Sequence, residues 1–164
     1  MQGVLDSGMQ NYRRLKVWKR AHAFAVQVRR CTRAFPRTGY AEMKSQLIRA
    51  AESIPSNIVE GCAAASRREF ARYLDISIKS TSEVEYRLQL ARDNRVLSHA
   101  TWVALSDELV EIRKMLFGLR RAVLAADREA QNNERSSAPP PDPTTLEATR
   151  EGKLSDRQSE GWTH

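Results

Sequence analysis

A proline at position 55 sits inside an otherwise helical run, Arg49–Gly61, and constrains how this chain can fold. Proline in a helix interior removes one backbone donor and clashes with the carbonyl four residues back, here Ala51, at a cost of roughly 3 kcal/mol. Helical periodicity nevertheless persists on both sides, with Met43, Leu47, Ala50, Ile54 and Ile58 on one stripe. The segment therefore reads as one bent helix, not two short ones. Ser53 and Ser56 flank the bend and are expected to hydrogen-bond the freed carbonyl. The same run also fits a packing device with no chemistry of its own.

The rest of the chain supplies three further helices. Val17, Ala21, Phe24, Val28, Cys31 and Phe35 recur at spacings of four and three, which predicts helix one over Arg14 to Phe35, stopped by Pro36. A loop through Gly39 leads into the bent helix, Glu42 to Ala65. Ser66-Arg67-Arg68-Glu69 matches a capping box and opens helix three, Arg67 to Arg92. Its inner face is Phe70, Leu74, Ser77, Thr81, Val84, Leu88 and Ala91, and the small members predict close approach of a neighbouring backbone. Ser98 is the expected cap of helix four, His99 to Arg128, whose stripe runs Trp102, Leu105, Leu109, Ile112, Leu116, Leu119, Val123, Ala126. Short connections between four apolar stripes predict an all-α, antiparallel up-down-up-down four-helix bundle with a disordered C-terminal tail.

Domain organisation follows from composition. The expected divisions are a disordered N-terminus over 1–11, the bundle over 12–130 and a disordered Pro/Ser-rich tail over 131–164, which includes Pro139-Pro140-Pro141 and a solvated Trp162. Up to Ala130 there are 23 basic and 14 acidic residues, so the charge excess belongs to the bundle. The absence of a long apolar run argues against a membrane partner. Cys31 and Cys62 lack the spacing of a disulfide or zinc framework and suit a cytoplasmic setting, with Cys31 expected as a buried small hydrophobe.

Several segments resemble one family. Ser53-Ile54-Pro55-Ser56-Asn57-Ile58-Val59-Glu60-Gly61 is similar to the signature of the four-helix 23S rRNA intervening-sequence proteins. In the same order, Tyr12 to His22, Ser66 to Phe70 and Ser82 to Asp93 agree, so the resemblance covers about Tyr12 to Leu119. Met9 stands where members usually start. Tyr40-Ala41-Glu42-Met43 replaces the more usual Tyr-Gly-Leu-Thr, and Arg95 stands where a glycine often ends the third helix. Asn94 beside it is the residue suited to the left-handed conformation. The resemblance implies a ring-shaped homopentamer and, from the location of the family's genes in large-subunit rRNA genes, an association with RNA. The bundle is similar too to the accessory protein of diversity-generating retroelements, which implies a reverse transcriptase as an alternative partner.

Charge and leftover apolar residues carry the functional expectations. Between Arg13 and Arg37 lie nine Lys or Arg and no acid. Lys16, Lys19, Arg30, Arg33 and Arg37 project opposite the core stripe of helix one; Arg20 joins this candidate nucleic-acid face, and Arg67 and Arg68 add charge where helix three begins. Helix one offers few exposed aromatics beside these cations, so phosphate-led binding of RNA or another nucleic acid is expected, without a stacking platform. A solvated basic surface is the competing reading, in which the chain is a scaffold. Val103, Val110, Phe117 and Leu124 recur every seven residues away from the core of helix four, and Ile76 and Leu90 do so on helix three with Tyr86 nearby; these predict a homo-oligomer interface.

Catalysis is not expected. The histidines His22, His99 and His164 form no metal-ligand spacing, phosphate loops and nucleophile elbows are absent, and neither a cofactor nor a metal site is predicted. Glu52, Glu60, Glu83 and Glu85 are expected to pair with Arg49, Arg87 or Arg92.

Overall fold

The computed structural model describes residues 11–137. Expectations for residues 1–10 and 138–164, including Met9, the proline run and Trp162, lie outside them. The chain divides into two units, Met1–Glu129 and Ala130–His164, and the bundle core belongs to the first. Four helices are present: α1 Lys16–Cys31, α2 Ala41–Cys62, α3 Arg67–Asp93 and α4 His99–Ser137, with no strand among the described residues.

The helix ends follow local chemistry. Asn11 accepts a hydrogen bond from the Arg13 amide (3.1 Å) and opens a short 3-10 turn, Tyr12–Arg14, so α1 begins two residues later than its periodicity indicates. A second 3-10 turn, Thr32–Ala34, finishes α1, with the Thr32 hydroxyl donating to the Arg29 carbonyl at 3.0 Å. Phe35 is extended, as the residue before proline must be. Ser66 caps α3 by accepting from the Glu69 amide (3.1 Å), while the Glu69 carboxylate reaches back to the Ala65 amide (3.1 Å), one residue beyond the expected one. Ser98 accepts from the Thr101 amide at 3.2 Å and caps α4.

Three expectations are corrected. Helix four runs nine residues past Arg128, to Ser137, so residues 131–137 are helical and not extended tail. In the α3–α4 turn Arg95 itself takes the left-handed conformation (φ 58°), while Asn94 keeps a negative φ (−79°) and donates its side-chain amide to the Leu90 carbonyl at 2.8 Å. Val96 and Leu97 amides then both reach the Ala91 carbonyl and close the turn. At Pro55, α2 does continue as one helix, but the Ser53 hydroxyl meets Ser80 Oγ (2.9 Å) and accepts from Asn57 Nδ2 (3.0 Å), and Ser56 faces outward.

The core is built from the predicted stripes. All seven inner residues of α3 are buried, as are Leu47, Ala50, Ile54 and Ile58 of α2 and Leu105, Leu109, Ile112, Leu116 and Val123 of α4. Cys31 is only half-buried, and Met43, Trp102, Leu119 and Ala126 lie at the core's edge. Successive contacts fix helix direction for two pairs. Ser77 of α3 donates to the Ile54 carbonyl (2.9 Å), Ser80 meets Ser53, and Gly61 lies against Phe70, so α2 and α3 are antiparallel. Arg68 with Asp127, Asp75 with Arg120 and Glu85 with Arg113 give the same result for α3 and α4. Helix α1 is tied to α2 through Arg29–Glu52 and to α4 through Arg20–Glu108.

Candidate nucleic-acid interface

The buried side of α1 consists of Val17, Ala21, Phe24, Ala25 and Val28, and the opposite side is charged. Lys16, Lys19 and Arg30 of α1, Arg33 in the following 3-10 turn and Arg37 in the loop beyond Pro36 are all exposed, and none of the five has an ion-pair partner among the described residues. From Lys16 to Arg33 the row spans about 25 Å at the helical rise. The first turn of α1 holds no acid, only cations, where the helix dipole favours anions. Helix stability therefore does not account for Lys16 and Lys19, whereas Arg30, in the last turn, suits the dipole.

Two of the predicted site residues are engaged elsewhere. Arg20 forms a two-pronged pair with Glu108 of α4, Nε–Oε1 2.5 Å and Nη2–Oε2 2.8 Å. This hydrogen bonding raises the Arg20 pKa against a smaller desolvation effect, and Glu111 adds a weaker attraction. Arg68 donates to Asp127 Oδ2 at 3.0 Å, and Arg67 is half-buried. The cations at the start of α3 thus serve bundle packing at least in part, as do Arg20 and Arg29 of α1, whereas Lys16, Lys19 and Arg30 stay available. The carboxylates divide similarly: Glu83 pairs with Arg87 as expected, but Glu52 pairs with Arg29 and Glu85 with Arg113.

An aromatic ladder stands beside the basic row, but its Tyr12 and Trp18 are half-buried and only His22 is exposed, so few exposed aromatics adjoin the cations, as expected. Tyr12 meets Trp18 edge-on (centroids 4.7 Å, 66°), and Trp18 stacks on His22 (5.2 Å, 14°). The Arg13 guanidinium lies 5.1 Å from the Tyr12 ring centre. Trp18 and His22 are four apart on one helix, a spacing visible in the sequence; Tyr12 joins them only because the 3-10 turn folds it back.

A second surface lies on α3 and α4. Ile76, Tyr86, Val103, Val110 and Phe117 are exposed, Phe117 by 50%, while Leu90 and Leu124 are half-buried. Phe117, Leu124 and Ala125 also line an open hollow of about 330 Å³ with Arg120, Arg121 and Arg128. Arg120 Nε lies 2.5 Å from Asp75 Oδ1 but off the N–H axis, and its hydrogen bond runs from Nη2 at 3.1 Å. The thiols offer little nucleophilicity: burial raises the pKa of Cys31 and pushes that of Cys62 to about 11. Among the described residues no group of three or more His, Cys, Asp or Glu is arranged to hold a metal ion, and no helix is long and apolar enough to cross a membrane.

Comparison with known proteins agrees with the resemblance read from the motifs. A solved structure of a protein of unknown function from the S23 ribosomal protein family of Bacteroides thetaiotaomicron is 26% identical, with a TM-score of 0.57 over 64% of this chain and 95% of that one. No curated protein matches the chain. The family model for the 23S rRNA-intervening sequence protein matches residues 13–118, which contain all of α1, α2 and α3 and the first half of α4. The chain belongs to the 23S rRNA-intervening sequence protein family.

Proposed function

We propose that this protein is a non-catalytic homo-oligomer that binds RNA, or structured nucleic acid of another kind, through the outer face of α1. The observation that carries this reading is the row Lys16, Lys19, Arg30, Arg33 and Arg37, exposed and without ion-pair partners among the described residues. Cations placed against the dipole at the helix N-terminus stabilise a bound anion better than they stabilise the helix. The family's name ties its members to ribosomal RNA. Repetition of the row around an oligomer, five-fold as the resemblance implies, raises affinity by avidity. Binding is then steep in salt and nearly indifferent to base order.

The test is a mobility shift with ribosomal RNA fragments at low ionic strength. Wild-type protein retains the RNA and releases it as salt rises. Reversal of Lys19, Arg30 and Arg33 to Glu abolishes retention while helicity and oligomer size are unchanged. Equal binding by the triple variant would reduce the face to a solvated surface.

The exposed apolar residues of α3 and α4 support the oligomer and also favour a second reading, a scaffold that docks a protein partner such as a reverse transcriptase. Replacing Val110 and Phe117 with Glu releases folded monomers if the surface joins copies of the chain, as light scattering would show. An unchanged assembly size in that variant assigns the surface to a different partner.

A further inference from the structure

We propose that the exposed end of the aromatic ladder, His22 with Val26 beside it, seats an unpaired nucleobase. The inference rests on the nucleic-acid reading above and narrows its ligand to RNA with single-stranded or bulged nucleotides. The ladder is ordered before any ligand arrives. Trp18 is half-buried against the core, Tyr12 abuts its ring edge-on, and the His22 imidazole lies 5.2 Å from Trp18 at 14°. His22 is exposed, and Trp18 is its only ring contact among the described residues. Val26 follows one turn later and is 37% exposed, an apolar side chain in the middle of a charged face. A flat ring and an aliphatic neighbour offer a base the surface on which stacking is favourable.

The surrounding cations fit the rest of a nucleotide. Lys19 lies three residues before His22, and Arg30 lies four after Val26, so the order along the face is cation, ring, apolar side chain, cation. Lys19 and Arg30 are about 16 Å apart along the axis, with space for an unstacked nucleotide between phosphate contacts. A fully paired duplex engages the cations but presents no free base to the ring. The platform therefore separates unpaired RNA from duplex, which the cations alone do not.

The test uses the full chain with Trp102→Phe and Trp162→Phe, leaving Trp18 as the sole tryptophan reporter. The probes are a short single-stranded RNA without internal pairing and the matching blunt duplex, both followed by anisotropy. Single-stranded RNA is expected to quench Trp18 emission. His22→Ala is expected to weaken single-strand binding about tenfold with duplex affinity and salt slope unchanged, and His22→Tyr to restore it. Reversal of Lys19, Arg30 and Arg33 removes binding of both RNAs. If His22→Ala binds single strands as wild type does, weakens duplex equally, or Trp18 emission does not respond to single strands, the platform is overturned while the phosphate reading stands. Wild-type protein that binds neither RNA overturns both.

Discussion

The seam between α2 and α3 and the seam between α3 and α4 use the same helix in opposite ways. Toward α2, α3 presents small residues and the two backbones approach closely, whereas toward α4 it presents charged side chains along an edge. Close approach leaves room only for short neutral groups: Ser77 to the Ile54 carbonyl, Ser80 to Ser53, Gly61 beneath Phe70. The α3–α4 seam is filled by Leu105, Leu109, Ile112 and Leu116 and closed at its edge by Arg113–Glu85, Arg120–Asp75 and Arg68–Asp127. Burial thus sorts the polar chemistry of the two seams. Hydroxyls bond carbonyls in the dry interior, whereas arginine needs a partly wet edge to stay solvated. Helix α1 departs from both patterns, because most of its outer cations bond no neighbour.

Alanine at two glycines gives the largest contrast, between the α2–α3 seam and an exposed face of α4. A Cβ on Gly61 would lie 2.5 Å from Phe70 Cδ2 and 3.0 Å from Tyr73 Cβ, while one on Gly118 of α4 meets nothing within 4 Å. Helix propensity alone favours Ala over Gly by about 1 kcal/mol at both sites. Overpacking at Gly61 reverses the sign, so Gly61→Ala is expected to lose about 2 kcal/mol and Gly118→Ala to gain about 1 kcal/mol in urea unfolding. A stabilising Gly61→Ala would show that the α2–α3 seam yields easily, and the contrast with the exposed face of α4 would collapse.

Much of this architecture was legible because its signals are local. The caps Ser66 and Ser98, the inner face of α3 and the passage of α2 through Pro55 all follow from neighbours within four residues. The end of α4 was not. Asn132-Asn133 reads as a stop, yet Glu129, Ala130, Gln131, Glu134 and Arg135 are good helix formers and no Gly or Pro intervenes before Pro139, so the helix continues to Ser137. The left-handed residue was misplaced because Asn94 spends its side chain on the Leu90 carbonyl, leaving Arg95 to reverse the chain. At the candidate site the cation row was plain, but its members' availability was not. The carboxylates that engage Arg20 and Arg68 lie 88 and 59 residues away in sequence, and no local pattern reveals such pairings.

Salt separates the two seams at smaller amplitude. Ser77 is fully buried, and Ser77→Ala removes its bond to the Ile54 carbonyl at a cost of about 1 kcal/mol. That bond is neutral and dry, so the loss should be equal at low salt and at high salt. Glu85 has a 55% exposed side chain paired with Arg113 at 2.7 Å, and Glu85→Gln keeps its shape while removing the charge. An exposed pair of this kind contributes about 0.5 kcal/mol at low ionic strength, and screening over about 3 Å at 1 M salt removes most of it. Urea unfolding of wild type and both variants at the two salt concentrations reads the difference directly. The decisive quantity is each variant's loss relative to wild type under the same conditions, because salt also strengthens apolar burial in every form. A salt-dependent loss in Ser77→Ala, or a salt-independent one in Glu85→Gln, would mean that burial does not sort neutral from charged contacts in this bundle.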